Sequence, residues 1–268
     1  MLNFTIGLVY SSLISFAAYK KSSLNISGFL AAIALGTAIY FFGGLWFFNI
    51  MIAFFVSSSL LTKFKGINKK NLDRLNEKDG RRDYIQVFVN GGIGLVLAFL
   101  YYIYNNPIFL LAYAVSFGVA TSDTWASEVG VLSKDKPLSI LNLRPIEKGL
   151  SGGISRLGTI FAFLGSTFIS LIFFISYIVL YNDIRQGLTY SSICLILGFI
   201  GSIIDSILGA SIQAQYYCEE IECFTENKVY KNKPNRLVKG FSVINNDVVN
   251  FVSNLISTLL VFLLCRTF

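Results

Sequence analysis

The chain contains no histidine. The commonest general base and the commonest transition-metal ligand are therefore both missing. What remains for chemistry is carboxylate, amide and hydroxyl oxygen together with lysine and arginine, a set suited to Mg²⁺ and phosphate. A Walker A loop is absent too, because no G-x-x-x-x-G-K-S/T stretch occurs. Charged residues make up only 14% of the chain. No internal repeat is recognisable, and 268 residues leave no room for a soluble catalytic domain beside a membrane domain. There are four cysteines. Cys218 and Cys223 flank Glu219, Glu220 and Glu222, but C-x4-C is not a zinc spacing and histidine is lacking, so reduced thiols are the favoured reading. Cys194 and Cys265 both fall near the same ends of their helices, which leaves a disulfide open.

Apolar sequence dominates. Hydrophobic residues reach 54% and mean hydropathy is +0.63. A spanning helix needs roughly 20 apolar residues. Eight segments qualify: about Leu2–Tyr19, Ser27–Phe42, Gly44–Leu61, Tyr84–Tyr104, Ile108–Ala126, Leu157–Tyr181, Tyr190–Ile212 and Asp247–Cys265. The second and third form one uncharged run broken by Gly43–Gly44. A single helix of that length would overshoot the bilayer, so two short helices and a tight turn are expected. The fold class is therefore an all-α polytopic transmembrane bundle of about eight helices. Residues 1–268 form one integral membrane domain, with N-terminal helices over 1–61 and a motif-bearing core over 81–254.

Lysine and arginine are missing from alternate loops. Twenty of the 22 fall after segments 1, 3, 5 and 7. By the positive-inside rule those loops are cytoplasmic and both termini lie outside. The first segment is followed by its basic residues, as a retained helix would be and a cleaved signal peptide would not. Trp46, Tyr101, Tyr102, Tyr104, Tyr177, Tyr181 and Tyr190 gather at the outer ends, with Trp125, Tyr216 and Tyr217 at the inner ends, as interface belts do. The net charge of +7 belongs to the cytoplasmic loops and implies contact with anionic membrane lipids, not nucleic acid. The plasma membrane is the expected location, and the oligomeric state stays open.

Four acids interrupt or flank the apolar segments at their basic ends: Asp123, Glu128, Asp205 and Asp247. An ionisable group at a helix centre costs at least ~2.5 kcal/mol on insertion scales, so each is a functional candidate. Thr121 to Glu128 (TSDTWASE) is the sharpest motif, with a polar or indole side chain at every position but Ala126. Asp123 and Ser127 share a helical face. Glu128 stands about 140° from Asp123 on a continuous helix, which would point it elsewhere. Asp83, Gln86, Asn90 and Gly94 form one stripe, and Asn90 serves either interhelical packing or substrate, next to Arg81 and Arg82. The turn GLSGGIS, residues 149–155, opens segment 6. Its Ser151, Gly152, Gly153 and Ser155, with Lys148, Arg144 and Arg156 nearby, fit either a plain N-cap or a phosphate cradle at a helix N-terminus. Gly201, Asp205 and Gly209 make a small-residue face. Asp247, Asn250 and Asn254 share another, where Asp247 serves either capping or the site.

"NGG", "SDTWASEVG", "GLSGGISRLGT", "DSILGASIQ" and "NDVVN" occur in order between Arg81 and Asn254. In these motifs the chain resembles the membrane proteins that include plant phytyl-phosphate kinase and vertebrate transmembrane protein 19, a family similar to CTP-dependent lipid kinases such as phytol kinase and dolichol kinase. The N-terminal helices resemble it only in hydropathy. The resemblance implies a CTP-dependent kinase that converts a prenyl (isoprenoid) monophosphate to the diphosphate. On that reading Asp123, Glu128 and Asp205 are the catalytic candidates, and Asp123, Asp205 and Asp247 hold Mg²⁺. Arg81, Arg82, Asn90, Lys148, Ser151, Gly152, Gly153, Ser155 and Asn250 bind phosphate and substrate at the cytoplasmic face. An alcohol kinase and a lipid-phosphate cytidylyltransferase are alternatives. A transporter or flippase is the rival of another class, since membrane-embedded acids and broken helices mark transporters, although here the polar groups crowd one face.

Overall fold

The computed structural model describes residues 1–64 and 80–265. Lys65, Lys69, Lys70, Arg74, Lys78 and Arg266, part of the basic pattern above, lie outside the described residues. Among the described residues seven helices are long and apolar enough to cross a membrane: α1 (Leu2–Lys20), α2 (Ile26–Phe64), α3 (Tyr84–Tyr104), α4 (Pro107–Gly130), α5 (Arg156–Tyr181), α6 (Ile184–Ser211) and α7 (Asn246–Cys265). The 39 residues of α2 are two rods, because Gly44 sits at φ 71°, ψ −162°, a conformation essentially reserved for glycine. The helical rods among the described residues therefore number eight, as the Gly43–Gly44 break suggests.

Helix starts follow local hydrogen-bond chemistry. Asp83 and Gln86 form a capping box at α3. Asn106 accepts from the Ile108 amide, with Pro107 opening α4. Ser155 caps α5 and Asp183 caps α6. The Asp183 cap starts α6 at Ile184, so residues 184–189, read as loop from hydropathy, are helical. Asn105 and Asn182 end α3 and α5 in the left-handed region, where asparagine is tolerated.

Helix α4 is the axis of the bundle. Every residue from Leu110 to Ser122 is buried, as expected for a helix enclosed on all sides. It packs against α2, α3, α5, α6 and α7. Small residues make the approach close: a Cβ on Gly201 of α6 would fall 2.3 Å from Val119 of α4 and 2.7 Å from Ser257 of α7. Hydroxyls then tie the helices. Ser122 donates to the Ala162 carbonyl at 2.6 Å, Ser170 to Ser191 at 2.6 Å and Tyr113 to Phe47 at 2.7 Å. At one end of the bundle the Tyr101 and Tyr181 hydroxyls meet at 2.7 Å, and Tyr177 packs against Tyr181 at a tilt and edge-on to Tyr190. Trp125 instead lies against α5, its ring 5.5 Å from that of Phe168.

Two loops carry short strands that hydropathy could not show. β1 (Leu138–Ser139) pairs with β2 (Gly153–Ile154). After α6 come β3 (Gln215–Cys218), β4 (Cys223–Thr225), β5 (Val229–Tyr230), β6 (Lys233–Pro234) and β7 (Arg236–Lys239), with a β4-β3-β7 sheet and a β5-β6 hairpin. Cys218 and Cys223 are cross-strand neighbours, and all four cysteines are free thiols.

Candidate active site

A cavity of about 380 Å³ lies where the end of α2, the starts of α3, α5 and α7, the end of α4, the middle of α6 and both stranded loops converge. That size accommodates a small-molecule ligand. Asp123, Glu128, Asp205 and Asp247 all line it.

Asp205 projects from α6 and is 8% exposed. Helix α7 holds it: Ser253 Oγ donates to Oδ2 at 2.8 Å, and the Asn250 amide, oriented to satisfy its neighbours, donates to the same oxygen at 3.0 Å. Asp205 also lies in the electrostatic field of Asp123 and Glu226. Asp123, half-buried on α4, makes no hydrogen bond among the described residues. Helix α4 continues to Gly130, yet Glu128 still faces the cavity, contrary to the helical-wheel expectation. The cavity wraps around the end of α4, and Thr62 of α2 donates to Glu128 at 3.1 Å on that side. Asp247 is 8% exposed. The cap of α7 is Asn245, which accepts from the Val248 amide at 3.1 Å, and Asp247 stands in the first turn, where its charge complements the helix dipole as well as facing the cavity.

Arg82 is a cation of the site. Its backbone is stapled to the α1–α2 turn, with Arg82 N–H donating to the Ser23 carbonyl at 3.0 Å and Asn25 N–H to the Arg82 carbonyl at 3.1 Å. The guanidinium lies over Phe54 and Phe55, 5.4 and 5.5 Å from their centroids. Burial pushes it down to about 10, opposed by the charge of Glu128, so it stays charged at neutral pH. Its Nη1 is buried without a hydrogen-bond partner among the described residues. Arg81 is exposed and outside the cavity, because neighbours in an extended chain point to opposite sides. Asn90 lines the cavity but donates to its own helix at Gln86, 2.9 Å away. Asn254 is 2% exposed and accepts from Thr258 at 3.3 Å, which assigns it to packing.

The residues of the glycine-serine turn divide between the cavity, the helix cap and the surface. Lys148, Ser151, Gly152, Gly153 and Ser155 line the cavity, while Arg144 and Arg156 are exposed outside it. Lys148 Nζ donates to the Ser133 carbonyl. Ser155 Oγ accepts from the Gly158 amide at 3.1 Å and donates to the Gly130 carbonyl at 3.3 Å, so it is the plain N-cap. Gly152 adopts φ +80° with Ala210 2.3 Å from where its Cβ would be, so it seats the turn on α6. Ser151 is engaged by Glu226, described below.

A family model described as integral membrane protein DUF92 matches residues 9–258. The chain belongs to this family. Protein PGR of Arabidopsis thaliana is 32% identical over 274 residues, 94% of this chain and 93% of its own. An uncharacterized membrane protein of Methanocaldococcus jannaschii is 30% identical over 71% of this chain and 75% of its own. Protein VTE6, chloroplastic, of A. thaliana is 26% identical over 87% of this chain and 62% of its own. No solved structure matches.

In this DUF92 chain, no group of three or more Cys, Asp or Glu side chains among the described residues is placed to hold a metal ion by itself. The three-aspartate set Asp123, Asp205 and Asp247 is therefore not a preformed cage. Asp123 and Asp205 line one cavity and Asp205 lies in the field of Asp123; one or two carboxylates are what Mg²⁺ takes from a protein when it keeps waters and shares substrate phosphates. Sequence reasoning missed Thr62, Ser253 and Glu226. Ser253 lies three residues beyond Asn250, a helical spacing that could have found it. Glu226 sits in a loop with three other glutamates, and nothing in the sequence singles it out.

Proposed function

We propose that this DUF92 protein transfers the γ-phosphoryl group of CTP to a prenyl monophosphate, making the diphosphate at the cytoplasmic face of its membrane. The motif resemblance supports the reaction. The observation that carries the reading is one cavity lined by Asp123, Asp205 and Arg82, with a buried guanidinium nitrogen that lacks an acceptor among the described residues. An orphaned cationic donor is costly unless an anion arrives, and phosphate is the anion it suits.

Phosphoryl transfer depends chiefly on positioning and charge neutralisation. An acceptor phosphate oxygen is already anionic, so its bond to the γ-phosphorus forms as the bridging bond to CDP breaks, without a proton leaving. That chemistry tolerates a chain with no histidine. Mg²⁺, when bound with nucleotide, neutralises phosphate charge. Asp123 and Asp205 would hold it, with Ser253 and Asn250 fixing the rotamer of Asp205. Arg82 orients and neutralises the acceptor phosphate. The buried run Leu110–Ser122 and the tyrosine cluster at the other end favour a one-sided site over a transport path.

The unbonded carboxylate of Asp123 supports a second reading, an alcohol kinase in which Asp123 takes the hydroxyl proton. Purified protein in lipid, given γ-labelled CTP, Mg²⁺ and matched prenyl alcohols and monophosphates, separates the two. Label on the monophosphates is expected. Label on alcohols alone would select the second reading. Transfer to neither, with CTP or any other nucleoside triphosphate, removes both.

A further inference from the structure

Glu226 comes from the loop between β4 and β5 and reaches into the cavity. Its Oε1 accepts two bonds from one residue of the glycine-serine turn: the Ser151 backbone N–H at 3.2 Å and the Ser151 hydroxyl. Gln213, 2% exposed, donates to the same hydroxyl at 2.8 Å, which turns its proton towards Glu226. Two convergent donors on a single charged oxygen is how a phosphoryl oxygen is held. The placement is electrostatically unfavourable in one respect: Glu226 adds its charge to the field of Asp123 at Asp205, and like charges in a shared site repel. The backbone beside it is fixed, because Thr225 is 1% exposed and its Oγ1 accepts from Asn227 N–H at 3.1 Å.

We infer that the Ser151 N–H and hydroxyl, set by Gln213, form a phosphoryl-oxygen subsite, and that Glu226 is its displaceable internal occupant. An incoming phosphate competes with Glu226 for these donors. This rests on the reading of the cavity as a phosphate-handling site, and it names which donors take the phosphate and what they release.

Inorganic pyrophosphate is the probe, titrated at constant ionic strength onto the full chain in phosphatidylethanolamine–phosphatidylglycerol nanodiscs. Glu226→Gln should tighten binding about tenfold, the scale of one charge-assisted hydrogen bond. Ser151→Ala should weaken it, and in that background Glu226→Gln should gain less than about threefold, since coupled residues are not additive. Glu222→Gln, an exposed neighbour outside the cavity, should change nothing. Glu226→Asp, which keeps the charge but retracts the oxygens, should also tighten binding and serves if the Gln variant fails to fold. The inference is overturned if Glu226→Gln has no effect or weakens binding. It is equally overturned if the gain survives loss of Ser151, or if no form binds pyrophosphate. Loss of CTP-dependent transfer in the wild type, with these binding results intact, would remove the kinase reading and leave the subsite standing.

Discussion

A carboxylate on a transmembrane helix must be paired, protonated or bound to a cation, and Asp205 and Asp123 meet that demand differently. Asp205 is tied by Ser253 and Asn250 to α7. Asp123 has no such tie among the described residues and faces the cavity directly, which suits a ligand to Mg²⁺. Asp123→Asn keeps the shape and removes the charge. It should lower transfer by at least about a hundredfold, the order expected for losing one preorganised electrostatic contact, while the protein stays monodisperse in detergent. Full activity in this variant would remove Asp123 from the site. Arg82 belongs at this scale too. Arg82→Gln should raise the KM for the acceptor about tenfold or more, the consequence of losing a charged hydrogen bond. The backbone bonds to Ser23 and Asn25 do not involve its side chain, so the turn should survive. Steady-state kinetics against acceptor concentration reads this, and an unchanged KM would leave Arg82 a packing residue.

The helices meet through small residues and hydroxyls, because lipid offers no hydrophobic gain for helix association and close packing has to supply the attraction. Gly201 sits where α6 touches both α4 and α7. Gly201→Ala should destabilise the protein by about 1–3 kcal/mol through overpacking. It should also lower activity, because Asp205 lies one turn further along α6 on the face towards α7. Thermal unfolding in detergent measures the first effect and the transfer assay the second. A silent Gly201→Ala would mean that this junction relaxes freely. The serine spacing on α5, Ser166 and Ser170, was readable as a helical stripe, but its partners, the carbonyls of Leu195 and Ser191 at 2.7 and 2.6 Å, come from α6 and were not.

For the whole molecule the testable quantity is orientation. In a cysteine-free background, Asp135→Cys and Arg185→Cys introduce exposed thiols in loops that the charge pattern assigns to opposite faces. Asp135→Cys should react with a membrane-impermeant maleimide only in inverted vesicles, and Arg185→Cys only in intact cells. The reverse pattern would place the cavity on the outer face and separate it from cytoplasmic CTP.

Hydropathy and charge spacing by themselves determined that this is a multi-pass bundle, that α2 breaks at Gly43–Gly44, and that Asp123, Asp205 and Asp247 belong to one end. Those are properties of single segments in a bilayer, where the cost of a misplaced charge or an overlong helix acts on each helix separately. Only the folded bundle decided which polar groups meet. It brought Glu128 to the cavity although the helical wheel turned it away, sent Arg81 out while drawing Arg82 in, and gave Ser151 to Glu226. Each of those outcomes depends on contacts between residues distant in the chain, and hydrogen-bond partnership across helices and loops has no periodicity that a linear sequence could display.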